Sequence, residues 1–476
     1  MLRILKNSAA LSLSVLLDRG VSFILPWYIA RVQGPEIWGR YTTALTFITI
    51  ASMFAYWGLD QLLPREIARK RSEAGAYLLN ASIIGGLIAV LTTVVVGVLV
   101  YFLYYSSDVQ ELIWLGLALI LFPRTESILC EAVINGLERM EWIPLVRFPI
   151  SLLRVLSSLL LLSRGFGLET LFIVLSVYHL LIWLLYLYLL RRHLSQFQLR
   201  FDKLLLKALF VQALPFVITI SIGQTFKQFD RVLLSKLLDT DSVGIYSTGI
   251  LLVQIVYLVA PAIMNALFPT LSRAHLISTK KFSSIITGTF KILLLAIFPV
   301  ALSIIASAEI LIPLVFGPEY TLSIAVLQIY AIGIVPSFVA RLLYRTLLAS
   351  NHERIAIRVA LVNSAVNLLL NLLLIPRYGV LGAAVSSVLT ESLGLAQNLL
   401  NVSRMGRLLK MDRALWRPGI CILLSVLLYI MVVGRASSIV AWVISLLLYI
   451  ATVLLSRVFT RRDLDVLTSA LASASS

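Results

Sequence analysis

Apolar runs of twenty to thirty residues, cut by short polar punctuation, fill this chain from end to end. Many of these runs are long enough to cross a bilayer as helices. Windows of about 20 apolar residues predict about fourteen spans. Their limits are near 8–31, 41–63, 77–104, 110–136, 143–163, 168–190, 207–236, 244–268, 283–307, 320–348, 355–375, 380–402, 415–434 and 437–456. The expected class is therefore an all-α polytopic membrane protein.

One stretch, Gln224 to Tyr246, organises the reading. Gln224, Lys227, Gln228 and Arg231 fall at i, i+3, i+4 and i+7 on one stripe of the seventh span, and Asp230 lies beside them. An ionisable group at bilayer depth costs about 2.5–3.5 kcal/mol on insertion scales, so it faces a partner or a watery cavity. The turn Asp239-Thr240-Asp241-Ser242 follows, and Gly244-Ile245-Tyr246 opens the next span.

That arrangement has an earlier counterpart. Gly39-Arg40-Tyr41 opens span two after the turn Gly34-Pro35-Glu36; Leu63-Pro64 closes it as Phe268-Pro269 closes span eight. Glu138-Arg139 matches Glu353-Arg354, and Gly165-Phe166-Gly167 matches Arg377-Tyr378-Gly379. Spans one to six and seven to twelve thus read as two copies of a six-helix unit. Six is even, so both copies enter from the same side as parallel repeats around a central cavity. The expected organisation is a first lobe at 1–192, a linker at 193–206, a second lobe at 207–404, and two additional spans with a tail at 405–476.

Composition and charge sharpen this. The chain has 476 residues, 60% of them hydrophobic and only 13% charged, yet its net charge is +17. Such a basic balance can mark a nucleic-acid binder, but here the bases sit in short loops between apolar runs. Arg65, Arg69, Lys70 and Arg71 occupy one loop, and Arg191, Arg192, Arg200 and Lys203 another. Arg273, Lys280 and Lys281 fill a third, and Arg404, Arg407, Lys410 and Arg413 a fourth. The alternate loops are poor in base, which places both termini in the cytoplasm and argues against nucleic acid. Arg3 and Lys6 before the first run imitate a signal peptide, but Asp18-Arg19 interrupts that run and no cleavage site follows, so it reads as the first span.

Several spans carry polar stripes. Span four aligns Arg124, Ser127, Glu131 and Asn135; span five aligns Arg147, Ser151, Arg154 and Ser158. Span one carries Ser14, Asp18 and Ser22 with Arg19 adjacent, span eleven Asn363, Asn367 and Asn371, span nine Lys291, and span ten Arg341 and Arg345. Bland readings compete. The asparagine ladder can be helix–helix glue, Lys227 and Asp230 can neutralise each other, and Arg147 and Arg345 can snorkel. Arg124 and Arg154 fall near mid-membrane on polar faces and are read as cavity-lining. Deep bases outnumber deep acids, which suits an anionic cargo, and guanidinium forks suit phosphate in particular.

Signals for other chemistry are weak. Asp239-Thr240-Asp241 has the D-x-D spacing of some metal-dependent sugar transferases but lies in a four-residue loop, where a turn is expected. No P-loop occurs, His179, His193, His275 and His352 are scattered, and Cys130 and Cys421 sit singly in apolar runs as packing residues. The reading contains no enzyme, no cofactor and no metal site.

The text Ala30-Arg-Val-Gln-Gly-Pro-Glu-Ile-Trp-Gly-Arg-Tyr41 with Gly58-Leu-Asp-Gln61, and Phe229-Asp-Arg231 with Gly244-Ile-Tyr246, resembles the polysaccharide-export flippases. These belong to the multidrug/oligosaccharidyl-lipid/polysaccharide exporter superfamily and include the O-antigen repeat-unit flippases. The resemblance runs from span one through span twelve. It implies two six-helix lobes in a V shape with two extra C-terminal helices. The implied cargo is an undecaprenyl-diphosphate-linked oligosaccharide moved from the inner to the outer leaflet, coupled in some members to a proton or sodium gradient. Membrane lipids, a polysaccharide polymerase and glycosyltransferases are the implied partners. The expected headgroup residues are Arg19, Arg124, Arg154, Lys227, Arg231 and Lys291; the expected ion-coupling carboxylates are Asp18, Glu131 and Asp230. A multidrug-extrusion antiporter of the same superfamily is the nearest alternative, ahead of a membrane glycosyltransferase or a scaffold for glycan assembly.

Overall fold

The structure is a computed structural model that describes residues 18–193, 197–217, 222–226, 228–405, 413–435 and 437–456. Every regular element among them is helical. Helix α1 (18–28) runs through a π turn, Ile29–Gln33, into α2 (Gly34–Ala55), followed by α3 (Leu59–Arg69), α4 (Ala74–Phe102), α5 (Ser107–Leu119) and α6 (Leu121–Gly136). Then come α7 (Trp142–Ser163), α8 (Leu168–His193), α9 (Lys203–Phe216), α10 (Ile222–Phe226), α11 (Phe229–Leu237) and α12 (Thr240–Tyr257). The chain continues with α13 (Val259–Ile277), α14 (Thr279–Val315), α15 (Thr321–Ala349), α16 (Glu353–Arg404), α17 (Arg413–Val433) and α18 (Ser438–Leu455).

Nine helices among the described residues are long and apolar enough to cross a membrane, and ten if the bent pair α5–α6 counts as one. Two of the nine, Asp18–Arg69 and Glu353–Arg404, each run through two of the expected spans. Span eight is divided at Leu258 into α12 and α13. The bilayer-facing surface is plain on α4, where Leu87, Val90 and Leu91 are 62–68% exposed. A belt of large aliphatic side chains of that kind is stable only against lipid.

The contacts divide the chain into two compact units, one ending at Gly244 and the other starting at Ile245. In the first unit α6 is the hub, packed against α2, α3, α4, α7 and α8. Around it Leu63, Ile67, Leu129, Cys130, Val133, Ile182 and Tyr186 form a fully buried core, with Cys130 a packing residue as expected. Helix α9 joins this unit: the Trp57 indole donates to the Phe210 carbonyl at 3.1 Å and stacks on its ring at 4.9 Å. Asn80 ties down the chain before α9, donating to the Arg200 carbonyl at 3.1 Å and accepting from the Asp202 amide at 3.2 Å.

The bend of 44° between α5 and α6 has a cause. Pro123 has no N–H for the Leu119 carbonyl one turn earlier, and Ser176 of α8 supplies the missing donor at 2.7 Å. Arg124 follows directly on this break.

In the second unit α15 packs on α13, α14 and α16. Gly379 has φ +60° and ψ −137°, a conformation open mainly to glycine, and it divides α16 into its two spans. In the first repeat the positive φ falls two residues earlier in the matching turn, at Gly165 with φ 83°. The last two helices dock by the proline logic seen at α6. Pro299 leaves the Leu295 carbonyl without its helical donor, and the Tyr449 hydroxyl of α18 donates to it at 2.9 Å. Trp442 adds a bond to Ser303 at 3.0 Å.

The asparagine ladder of α16 is glue. Asn371 donates to Asn367 at 3.1 Å, while Asn367 reaches Ser386 at 3.5 Å and Thr390 at 3.4 Å across the kink. Asn367→Ala removes these bonds and is expected to destabilise the protein by about 1 kcal/mol, read as a lower melting temperature in detergent. An unchanged melting temperature would contradict the role given to the ladder.

Candidate functional site

Helix α7 shows which way its charges face. Its exposed large apolar side chains are Leu145, Leu152, Leu153, Leu156 and Leu160, while Ser151 and Ser158 are buried. Arg147 and Arg154 share the Ser151–Ser158 stripe, so they point away from lipid, toward α6 and α8. The Arg154 guanidinium donates to Ser22 Oγ of α1 at 3.1 Å and lies over the Tyr178 ring at 4.8 Å. Ser22 in turn shares a hydrogen bond with Ser151 at 3.2 Å. A guanidinium held by one neutral hydroxyl and an aromatic face keeps its charge uncompensated.

Arg124 stands on α6 within electrostatic reach of Tyr56, Tyr178 and Arg147. It makes no side-chain hydrogen bond or ion pair among the described residues. One helical turn along, Ser127 Oγ sits 3.4 Å from His179 Nδ1, and the His179 ring meets Tyr178 edge-on at 4.9 Å. All three arginines act electrostatically on His179. On the same stripe Glu131 pairs with Arg147 at 2.9 Å and accepts a hydrogen bond from Tyr186 at 3.0 Å. Asp18 is within reach of Arg147, Glu131 and Tyr178, and its Oδ1 is buried without a partner. The Nε atoms of Arg147 and Arg154 are likewise buried with no acceptor.

The structure thus gathers Arg124, Arg154, Glu131 and Asp18 in one polar group inside the first unit. It adds Arg147, which pairs with Glu131 instead of snorkelling, and Tyr178 with His179. Three guanidiniums against two carboxylates leave positive charge at membrane depth, with unused N–H donors. Such a set has the chemistry to accept an anion.

The other expected residues lie elsewhere. Arg19 is exposed at the start of the described chain. Lys227 lies outside the described residues. Asp230 is only 7% exposed on α11, and Arg231 beside it donates to Gln228 at 2.9 Å. Lys291 is buried on α14 of the second unit. That unit has its own smaller group: Arg341 Nε donates to Ser337 at 3.3 Å and its guanidinium lies over Tyr257 at 5.4 Å. Asp239 behaves as a turn residue, its Oδ1 accepting from the Ser242 amide at 2.7 Å where α12 begins.

Sequence reasoning missed Tyr178 and His179, although an adjacent tyrosine and histidine in the middle of an apolar run is a visible signal. It also missed Glu126, which is 1% exposed on the α4 side of α6 and accepts from Ser82 at 2.6 Å. Its five-residue offset from Glu131 turns it to another face.

Two family models match the chain. One, described as polysaccharide biosynthesis protein, covers residues 4–275, and the other, lipid II flippase MurJ, covers residues 147–460. Among curated proteins, the chain is similar to the "Probable low-salt glycan biosynthesis flippase Agl15" of Haloferax volcanii. The two are 24% identical over 393 residues, 81% of this chain and 80% of the relative. The fold is similar to that of the lipid II flippase MurJ in an inward closed conformation, with TM-score 0.74 at 15% identity, over 95% of this chain and 99% of that one. It is also similar to an inward-facing multidrug resistance MATE transporter, with TM-score 0.67 at 14% identity, over 84% of this chain and 96% of that one.

Proposed function

We propose that this chain, which belongs to the polysaccharide biosynthesis protein family, flips lipid-linked oligosaccharide repeat units across the membrane for cell-surface polysaccharide synthesis. The observation that carries this reading is the excess of guanidinium over carboxylate on the inward faces of α6 and α7. The diphosphate of a polyprenyl-linked glycan is a hydrophilic dianion on a lipid tail. Arg124 and Arg154 offer it charge-assisted hydrogen bonds at membrane depth, while the tail stays in the bilayer. Tyr178, under the Arg154 guanidinium, holds that group in place for the diphosphate.

Alternating access of the six-helix repeats carries the glycan across, with α17–α18 as an appendage. Loop charge supports a cytoplasmic-membrane location with both termini in the cytoplasm. Arg19, Lys227, Arg231 and Lys291 are carried as further headgroup contacts on the strength of their charge within expected spans alone. Asp18 and Asp230 are the carboxylates for proton or sodium coupling. A polymerase and glycosyltransferases acting on the same glycan are the partners this role calls for.

Binding separates this cargo from a cationic drug. Purified protein in nanodiscs is expected to bind a fluorescent short-chain polyprenyl diphosphate carrying an N-acetylhexosamine at least about tenfold more tightly than the cationic dye ethidium. Preference for ethidium would shift the function to a drug antiporter.

A further inference from the structure

Glu131 and Arg147 form an ion pair of unusual register. Both carboxylate oxygens lie against one guanidinium nitrogen, Nη2, at 2.9 Å and 3.1 Å. A fork-on-fork pair would use two nitrogens in parallel; here Nη1 makes no hydrogen bond among the described residues and Nε is buried without an acceptor. The pair therefore neutralises Arg147 without saturating it. Glu131 has a second tether, the Tyr186 hydroxyl, which donates to Oε1 at 3.0 Å. Tyr186 is fully buried and belongs to the core of the unit, so it holds the carboxylate in place even when Arg147 lets go. The Arg147 side chain is 38% exposed and that of Glu131 15%, so a ligand reaches the arginine first.

We propose that Glu131 is the site's own stand-in for the cargo's phosphate. It occupies Arg147 while the site is empty, yields it to the diphosphate on loading, and reclaims it to drive the diphosphate off. This role rests on the anion-binding reading above. A site of three free guanidiniums would hold a dianion too firmly to turn over. An internal carboxylate competing for one of them weakens binding and raises the release rate by the same exchange. Glu131 is thus a positioning residue for Arg147, touching the cargo only through it.

The test compares affinity with turnover in full-length protein, using the fluorescent polyprenyl-diphosphate N-acetylhexosamine probe. Glu131→Gln keeps the shape and an acceptor for Tyr186 but removes the competing charge. It is expected to bind the probe about tenfold more tightly and to flip it about tenfold more slowly. Glu131→Asp, with a shorter reach to Arg147, is expected to shift both quantities in the same sense by about threefold, and it decides the matter should the glutamine variant fail to fold. Glu126→Gln removes a carboxylate from the same helix that touches no arginine, and it is expected to leave affinity unchanged. A purely structural role for Glu131 would weaken binding and slow flipping together, so weaker or equal affinity in the Glu131 variants overturns the exchange. Loss of probe binding in Arg124→Ala/Arg154→Ala with no tightening in Glu131→Gln would sink the exchange alone. Unchanged binding in that arginine double variant would sink the anion site itself.

Discussion

Arg124→Ala combined with Arg154→Ala is expected to lower flipping by at least about a hundredfold while the protein still inserts and purifies as a folded species. Each charge-assisted hydrogen bond to a phosphate oxygen contributes about 1.5–3 kcal/mol, and two of them exceed the roughly 2.7 kcal/mol that a hundredfold rate change represents. The fold tolerates the change because neither arginine is a structural anchor. Arg124 makes no side-chain hydrogen bond among the described residues, and Arg154 makes one, to Ser22. Removing an uncompensated cation from membrane depth even relieves a desolvation cost. Flipping assays in liposomes check the rate, and size-exclusion chromatography with thermal unfolding checks the fold. A double variant that flips normally would detach these arginines from the cargo.

The second large effect lies where the repeated Gly-x-Tyr motifs begin their helices. Gly39 of α2 and Gly244 of α12 touch backbone to backbone within the first unit. A Cβ on Gly39 would lie 1.7 Å from the Thr240 carbonyl oxygen, and one on Gly244 would lie 2.0 Å from the Pro35 carbonyl oxygen. Both obstacles are backbone atoms, so no side-chain rotation relieves them and the helix starts must part. Trp38 and Tyr41 are buried beside Gly39, and such displacement breaks their packing as well. Gly39→Val or Gly244→Val is expected to cost about 3 kcal/mol or more, seen as a drop in melting temperature and in the yield of folded protein. Gly20→Ala, where nothing lies within 4 Å of the added carbon, is expected to melt no lower than wild type, since alanine favours the helix. Valine at Gly39 with wild-type melting would mean that the two helix starts do not pack this closely.

These two sites show what a linear reading can and cannot reach. The apolar runs and the stripes on α6 and α7 were legible because hydropathy and helical period are local properties. The repeat was legible too, since Gly39-x-Tyr41 and Gly244-x-Tyr246 are copies in text. Their contact with each other was not, because nothing in either segment names its neighbour. Arg147 looked like a snorkelling side chain until Glu131, sixteen residues away, was found against it. Ser176 and Tyr449 were anonymous polar residues in apolar helices. Their roles appear only beside the carbonyls that Pro123 and Pro299 leave bare, 57 and 154 residues distant in the chain. His179 was discounted because it was weighed only as a metal ligand, whereas its setting among three arginines is a matter of helix packing.

Purified protein reconstituted into liposomes with a fluorescent polyprenyl-diphosphate oligosaccharide tests the central claim most directly. Exposure of the glycan to an external sugar-modifying enzyme is followed with and without a proton or sodium gradient. The account predicts rapid exposure with the wild-type protein and near-complete loss with Arg154→Ala, and any gradient dependence identifies the coupling ion. Absence of exposure from folded wild-type protein under every gradient, or full exposure with Arg154→Ala, would contradict it.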